Sequence, residues 1–162
     1  MKLRELLTDA RSSVSAFAAA RGTRVAIRRA GRLPDLNRTG PALTEILTCL
    51  LKQMIKATPR GAGITLGARA VRRGPTRGRR AWVEVTINSR KARLGDRELH
   101  RVLGCVEPIR LAEVVTDVHQ GELRLTLLCR LLRLKSGWFV IRRGGGAVPT
   151  FAVVVRAPRG RR

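Results

Sequence analysis

Leu43, Ile46, Leu47, Leu50, Leu51, Met54 and Ile55 recur at i, i+3, i+4, i+7 and i+8, and Pro59 and Gly61 close the run. That spacing predicts an amphipathic helix with one buried face. A shorter stripe, Leu3, Leu6, Leu7, Ala10, Val14, Phe17 and Ala18, predicts a helix at the start of the chain, stopped at Gly22. Between them Val25 and Ile27 alternate with polar neighbours, as in a short strand, and Arg32 to Gly40 carries the Pro, Asp, Asn and Gly of a loop. Two further alternating runs, Ile64–Val71 and Trp82–Ile87, predict a hairpin whose tip is the basic segment Arg72–Arg80. A second hairpin, Trp138–Arg142 with Thr150–Val155, turns at Gly144, Gly145 and Gly146.

The intervening stretch is mixed. Short helices are expected around Leu99–Leu103 and Ile109–Val118, and a Leu-rich one from Leu123 to Leu134. The order helix, strand, helix, two strands, helices, two strands predicts an α/β fold: a two-layer sandwich with helices on one face of a mixed sheet. No repeat or linker divides the chain, so a single domain over residues 1–156 is expected, followed by a basic tail, 157–162.

Composition changes the picture in one respect. Of 162 residues, 34 are Lys or Arg and 11 are Asp or Glu, a formal charge of +23. A solvated surface normally mixes both signs, so this field asks for a polyanionic partner. Hydrophobic residues make up 44% but aromatics only 3%, so aliphatic side chains must build the core. Cys49, Cys105 and Cys129 are scattered without metal-ligand spacing and read as thiols in a reducing compartment. With no signal sequence and no apolar run of membrane-spanning length, the expected location is cytoplasmic.

The helix and the turn after it, LTEILTCLLKQMIKATPRG over residues 43–61, resemble the asparagine-box helix of GHKL (histidine-kinase-like) ATPase domains, the Bergerat ATP-binding fold. The likeness extends along the chain. RGTRVAI resembles that family's first strand, AWVEVTI the strand leading to its adenine-reading aspartate, GELRLTLLCRLLRLKSGWFVI its lid end and following helix, and PTFAVVV its closing strand.

The same resemblance implies that the nucleotide site is degenerate. Its Mg²⁺-holding asparagine falls at Gln53, whose longer side chain displaces the oxygen, and a preceding asparagine falls at Cys49, a soft ligand that Mg²⁺ disfavours. The adenine-reading aspartate falls at Ser89, and the glycines after it at Lys91 and Arg93. The second glycine box matches Gln120, Glu122 and Arg124, with Gly121 displaced between them. Glu122 would repel a triphosphate, and the phosphate-cradling backbone is lost. No cofactor and no metal site are therefore expected; a residual Mg·ATP site is the competing expectation.

Other chemistry is set aside. His100 and His119 read as surface histidines, Glu45 as a solvated helix carboxylate, and Gly144–Gly146 as a hairpin turn, since no Lys-Ser/Thr follows. No catalytic constellation can be argued from the spacing. Basic residues gather at the hairpin tip (Arg72, Arg73, Arg77, Arg79, Arg80), at the degenerate site (Arg90, Lys91, Arg93, Arg97) and in the tail (Arg156, Arg159, Arg161, Arg162). Arg pairs bidentately with phosphate, so a pseudo-ATPase that binds nucleic acid non-specifically is the leading expectation. A regulatory module of two-component signalling, docking an acidic response regulator or a kinase, is the alternative. An ATP-binding domain with unusual ligands is the third; it requires Gln53, Ser89 and Gly121 to converge on one pocket.

Overall fold

A computed structural model describes residues 2–30, 33–34, 36, 40–71, 82–95, 138–144 and 146–157. Among the described residues eight elements follow in chain order: α1 (Leu3–Ser13), α2 (Ser15–Ala20), β1 (Arg24–Ala30), α3 (Gly40–Ala57), β2 (Gly63–Val71), β3 (Trp82–Asn88), β4 (Trp138–Gly144) and β5 (Ala147–Arg156). The helices expected between Leu99 and Leu134 lie outside the described residues.

The strands form one sheet in the order β1-β2-β3-β5-β4. β1 and β2 pair in parallel, Val25 opposite Ile64 and Ile27 opposite Leu66. A parallel pair needs a crossover, and α3 provides it. The remaining pairings, β2 with β3, β3 with β5 and β4 with β5, are antiparallel.

Strand alternation decides what each face buries. Ile64, Leu66 and Ala68 of β2, Val83, Val85 and Ile87 of β3, and Phe151, Val153 and Val155 of β5 are all buried in one cluster with the helices. From α3 the stripe Leu43 to Ile55 enters it, and from α1 Leu3, Leu6, Leu7 and Ala10. The result is the two-layer α/β sandwich that the patterning predicts.

Three details differ from the sequence expectation. The first helix is broken at Val14 (φ −108°, ψ 1°), where Ser13 Oγ donates to the Asp9 carbonyl at 2.8 Å and Ser15 Oγ to that of Ser12 at 2.9 Å. Such hydroxyl donors compete with the helical ladder and bend it. α3 starts at Gly40, earlier than expected, with Pro41 in the first turn, where its missing N–H costs nothing. Arg156, expected in the tail, is the last residue of β5 and pairs with Trp82, and Ala157 after it is buried in the core. No helix among the described residues is long and apolar enough to cross a membrane.

Candidate functional site

The C-terminal end of α3 shapes the first candidate surface. Thr58 Oγ1 donates to the Met54 carbonyl at 2.7 Å, Pro59 prevents continuation, and Gly61 takes φ 84° to redirect the chain into β2. The Arg93 amide donates to the Ala57 carbonyl at 2.8 Å and so docks the turn after β3 onto the helix end. Around this junction lies a cavity of about 600 Å³ lined by Gln53, Lys56, Thr58, Arg60, Arg21 and Arg93 among others. Arg21 also stacks over Phe17, its guanidinium carbon 5.8 Å from the ring centroid, which steadies it at the rim.

Electrostatics decide what this cavity accepts. The end of a helix carries roughly half a negative charge, which disfavours an anion. Four side-chain cations, Arg21, Lys56, Arg60 and Arg93, outweigh it, and no carboxylate lines the cavity among the described residues. Gln53 and Thr58 are the only neutral side-chain oxygens lining it among those residues. Mg·ATP, the cofactor that the sequence resemblance implies, divides on this point. The phosphates suit the arginines, whereas Mg²⁺ would meet one amide oxygen and one already hydrogen-bonded hydroxyl. No group of three His, Cys, Asp or Glu side chains able to hold a metal occurs among the described residues.

The positions implied by the resemblance separate. Gln53 and Arg93 come together in this cavity, but Ser89 and Lys91 do not line it. β3 ends at Asn88, one residue before Ser89. The Ser89 amide donates to the Pro149 carbonyl at 3.3 Å, and its side chain is 1% exposed. Its Oγ has no hydrogen-bond partner among the described residues. Cys49 is half-buried on α3 and packs against the core. Gly121, Glu122 and Arg124 lie outside the described residues, as do Arg72, Arg73, Arg77, Arg79, Arg80, Arg97, Arg159, Arg161 and Arg162.

Ser89, Arg90 and Lys91 line a second concavity, a groove of about 1180 Å³ on the sheet face opposite the helices. Arg24 and Arg28 of β1, Arg69 of β2 and Arg142 of β4 join them. The cations of the turn after β3 are thus shared out, Arg93 to the helix side and Arg90 with Lys91 to the sheet side. Sequence reading passed over Arg24, Arg28, Arg69 and Arg142, because arginines in the polar phase of a strand look like ordinary solvated positions. Their signal was that the polar phase of RVAIR in β1 is filled by Arg at Arg24 and Arg28.

No protein-family profile matches the chain, and no curated protein matches it. Solved structures do. The mycobacterial sensor histidine kinase MprB superposes with a TM-score of 0.63 at 12% identity, covering 98% of this chain and 97% of that one. A histidine kinase from Burkholderia phymatum gives 0.60 at 20% identity, covering 98% and 70%. Full-length ShkA, solved with AMPPNP, gives 0.67 at 19% identity, covering 97% of this chain and 30% of ShkA. Structural likeness over nearly the whole chain, with helices on one face of a mixed sheet, gives this protein the fold of the histidine-kinase catalytic domain.

Proposed function

We propose that this chain is a non-catalytic, histidine-kinase-like pseudo-ATPase that binds nucleic acid or another polyanion through arginine-rich surfaces. The observation that carries this reading is the cavity beside Gln53, where Arg21, Lys56, Arg60 and Arg93 gather without a carboxylate among the described residues. Such a site attracts phosphate and disfavours a bare divalent cation. The charge of +23 extends the same preference over the whole molecule.

The test is a salt titration of the full chain against labelled duplex and single-stranded DNA, with and without Mg·ATP. Binding below the micromolar range at physiological salt, with no effect of Mg·ATP, supports the reading. If six to ten cations reach phosphates, affinity falls by about three to five decades between 50 and 200 mM salt. No binding at physiological salt overturns it. Competition by Mg·ATP in the micromolar range would favour a working nucleotide site instead, of the sort that binds AMPPNP in ShkA.

One observation favours a second reading. Superposing structures include histidine kinases, MprB and the Burkholderia phymatum protein among them, so a regulatory module of two-component signalling fits the fold. Its partner would be the acidic face of a response regulator or a kinase. A receiver domain that binds this chain at physiological salt, where DNA does not, would favour it.

A further inference from the structure

β1, β2 and β3 turn a trough of small side chains toward the face opposite the helices. By register, Ala26 of β1, Thr65 of β2, Asn88 of β3 and Thr150 of β5 form one cross-strand row, and Arg28, Gly67 and Thr86 form the next. Gly67 keeps the floor low: a Cβ there would stand 2.9 Å from Thr86 Oγ1. The only acid lining the trough among the described residues is Glu84, and its charge is already taken.

Glu84 is 5% exposed and receives arginines from both sides. Arg69 donates from Nε to Oε1 at 3.0 Å, with its Nη2 2.9 Å from the same oxygen, and Arg142 donates from Nη2 to Oε2 at 3.1 Å. The Arg142 side chain crosses from β4 over β5 to reach β3. Both arginines stay about half exposed, at 58% and 45%, so the carboxylate fixes them while their remaining N–H donors face no acid among the described residues. Arg24 and Arg28 stand exposed along β1 and make no ion pair among the described residues, and Arg90 and Lys91 are exposed at the end of the trough.

We propose that this trough binds the phosphodiester backbone of single-stranded nucleic acid without reading its bases. The inference rests on the partner being a polyanion, but it assigns that partner to a surface separate from the cavity at Gln53. Three observations choose the occupant. Six cations surround one neutralised acid, so the charge is complementary to a polyanion. From β1 to β3, whose Glu84 holds both guanidinium groups, is two strand spacings, roughly 10 Å, the width of one nucleic-acid strand rather than a duplex. The floor offers Thr65, Thr86 and Asn88 to phosphate and sugar oxygens, and no aromatic ring lines it among the described residues, so affinity comes from the backbone and not from stacking. A lipid surface would ask for an apolar element beside the cations, and Val148 is the one large exposed apolar side chain among the described residues.

The experiment measures fluorescence anisotropy of a labelled oligothymidylate across a salt series, using the full chain. Arg24→Ser/Arg28→Ser/Arg90→Ser removes three exposed cations of the trough and should leave thermal melting unchanged. Its expected signature is at least a tenfold loss of affinity at physiological salt, with the slope of log affinity on log salt reduced by about 2, from about 0.7 for each phosphate no longer neutralised. Arg24→Lys/Arg28→Lys/Arg90→Lys keeps the charge and should retain most of the slope. Arg21→Ser/Arg60→Ser/Arg93→Ser, in the other cavity, should cost this ligand less than the trough variant does. If the wild type binds and the trough variant binds equally well, this inference fails while the polyanion reading stands. If the wild type does not bind, both fail together. Competition by polyglutamate of matched charge as effective as that by oligothymidylate would overturn the phosphodiester assignment in favour of an acidic protein.

Discussion

The Gly61 amide donates a 2.9 Å hydrogen bond to the Gly22 carbonyl, tying the turn before β1 to the turn before β2. Both glycines are left-handed, at φ 62° and 84°, and both turns feed the parallel pair that begins with Arg24 opposite Gly63. The same junction carries Arg21 and Arg60 to the cavity at Gln53. Fold and candidate site therefore share one pin.

The two glycines should respond differently to alanine. At Gly61 nothing lies within 4 Å of an added Cβ, so Gly61→Ala meets only the left-handed backbone cost of about 1–2 kcal/mol. At Gly22 an added Cβ would stand 2.8 Å from Arg60 Cγ, so Gly22→Ala also displaces Arg60. Urea unfolding should rank Gly22→Ala as the more destabilised, and equal losses would mean that Arg60 gives way freely.

Leu50 is wholly buried in the α3 stripe. Leu50→Ala should cost about 2–5 kcal/mol by opening a cavity between helix and sheet. On the exposed side of the same helix, Lys52→Ala should change stability by less than about 0.5 kcal/mol. A small loss at Leu50 would mean that the helix face is wrongly assigned.

These elements were legible because each buries one face with an unbroken period. The α3 stripe has no polar interruption, and β2 and β3 follow the alternating pattern, so the strand bounds were readable to within one residue, whereas the start of α3 lies three residues before Leu43. The break at Val14 was less visible, since it depends on serine hydroxyls bonding back to carbonyls and not on hydrophobic spacing. The candidate site was legible only in part. Gln53 and Arg93 meet because both are tied to the end of α3, one by helix position and one by its backbone bond to Ala57. Lys91 goes elsewhere because the chain turns after Ser89, with Ala92 donating to the Ser89 carbonyl at 3.2 Å, and no residue period encodes that. The trough needed the register of β1, β2 and β3, which brings together cations far apart in the chain.

Ser89 supplies a sharper test. Its Oγ is buried with no hydrogen-bond partner among the described residues, and an unsatisfied buried hydroxyl costs about 1–3 kcal/mol. Ser89→Ala should therefore be neutral or stabilising in a thermal melt. A clear loss of stability would show that the hydroxyl has a partner in the folded protein.

Glu84 should be sensitive to loss of charge. Glu84→Gln keeps the shape but turns an acceptor into an NH₂ group facing an arginine donor. The expected loss is about 1–2 kcal/mol, modest because both guanidinium groups remain about half exposed to solvent. Because the arginines lose their anchor, the variant should also bind oligothymidylate with a shallower affinity gain than one extra positive charge implies. Unchanged stability would mean that the ion pairs contribute nothing net.

The cavity at Gln53 can be probed with inorganic tripolyphosphate, which has the charge of a nucleotide tail and no base. Arg21, Lys56, Arg60 and Arg93 should bind it directly, and Arg60→Ser/Arg93→Ser should weaken it by about a hundredfold, at roughly 1.5 kcal/mol for each charge-assisted hydrogen bond removed. Magnesium separates this site from a working ATPase site. Bound Mg²⁺ lowers the ligand's negative charge, and the cavity offers the ion little beyond the Gln53 amide oxygen, so calorimetry should show weaker binding as Mg²⁺ is added. Stronger binding with Mg²⁺ would mean that Gln53 holds the metal despite its length, and the pseudo-ATPase reading would fall.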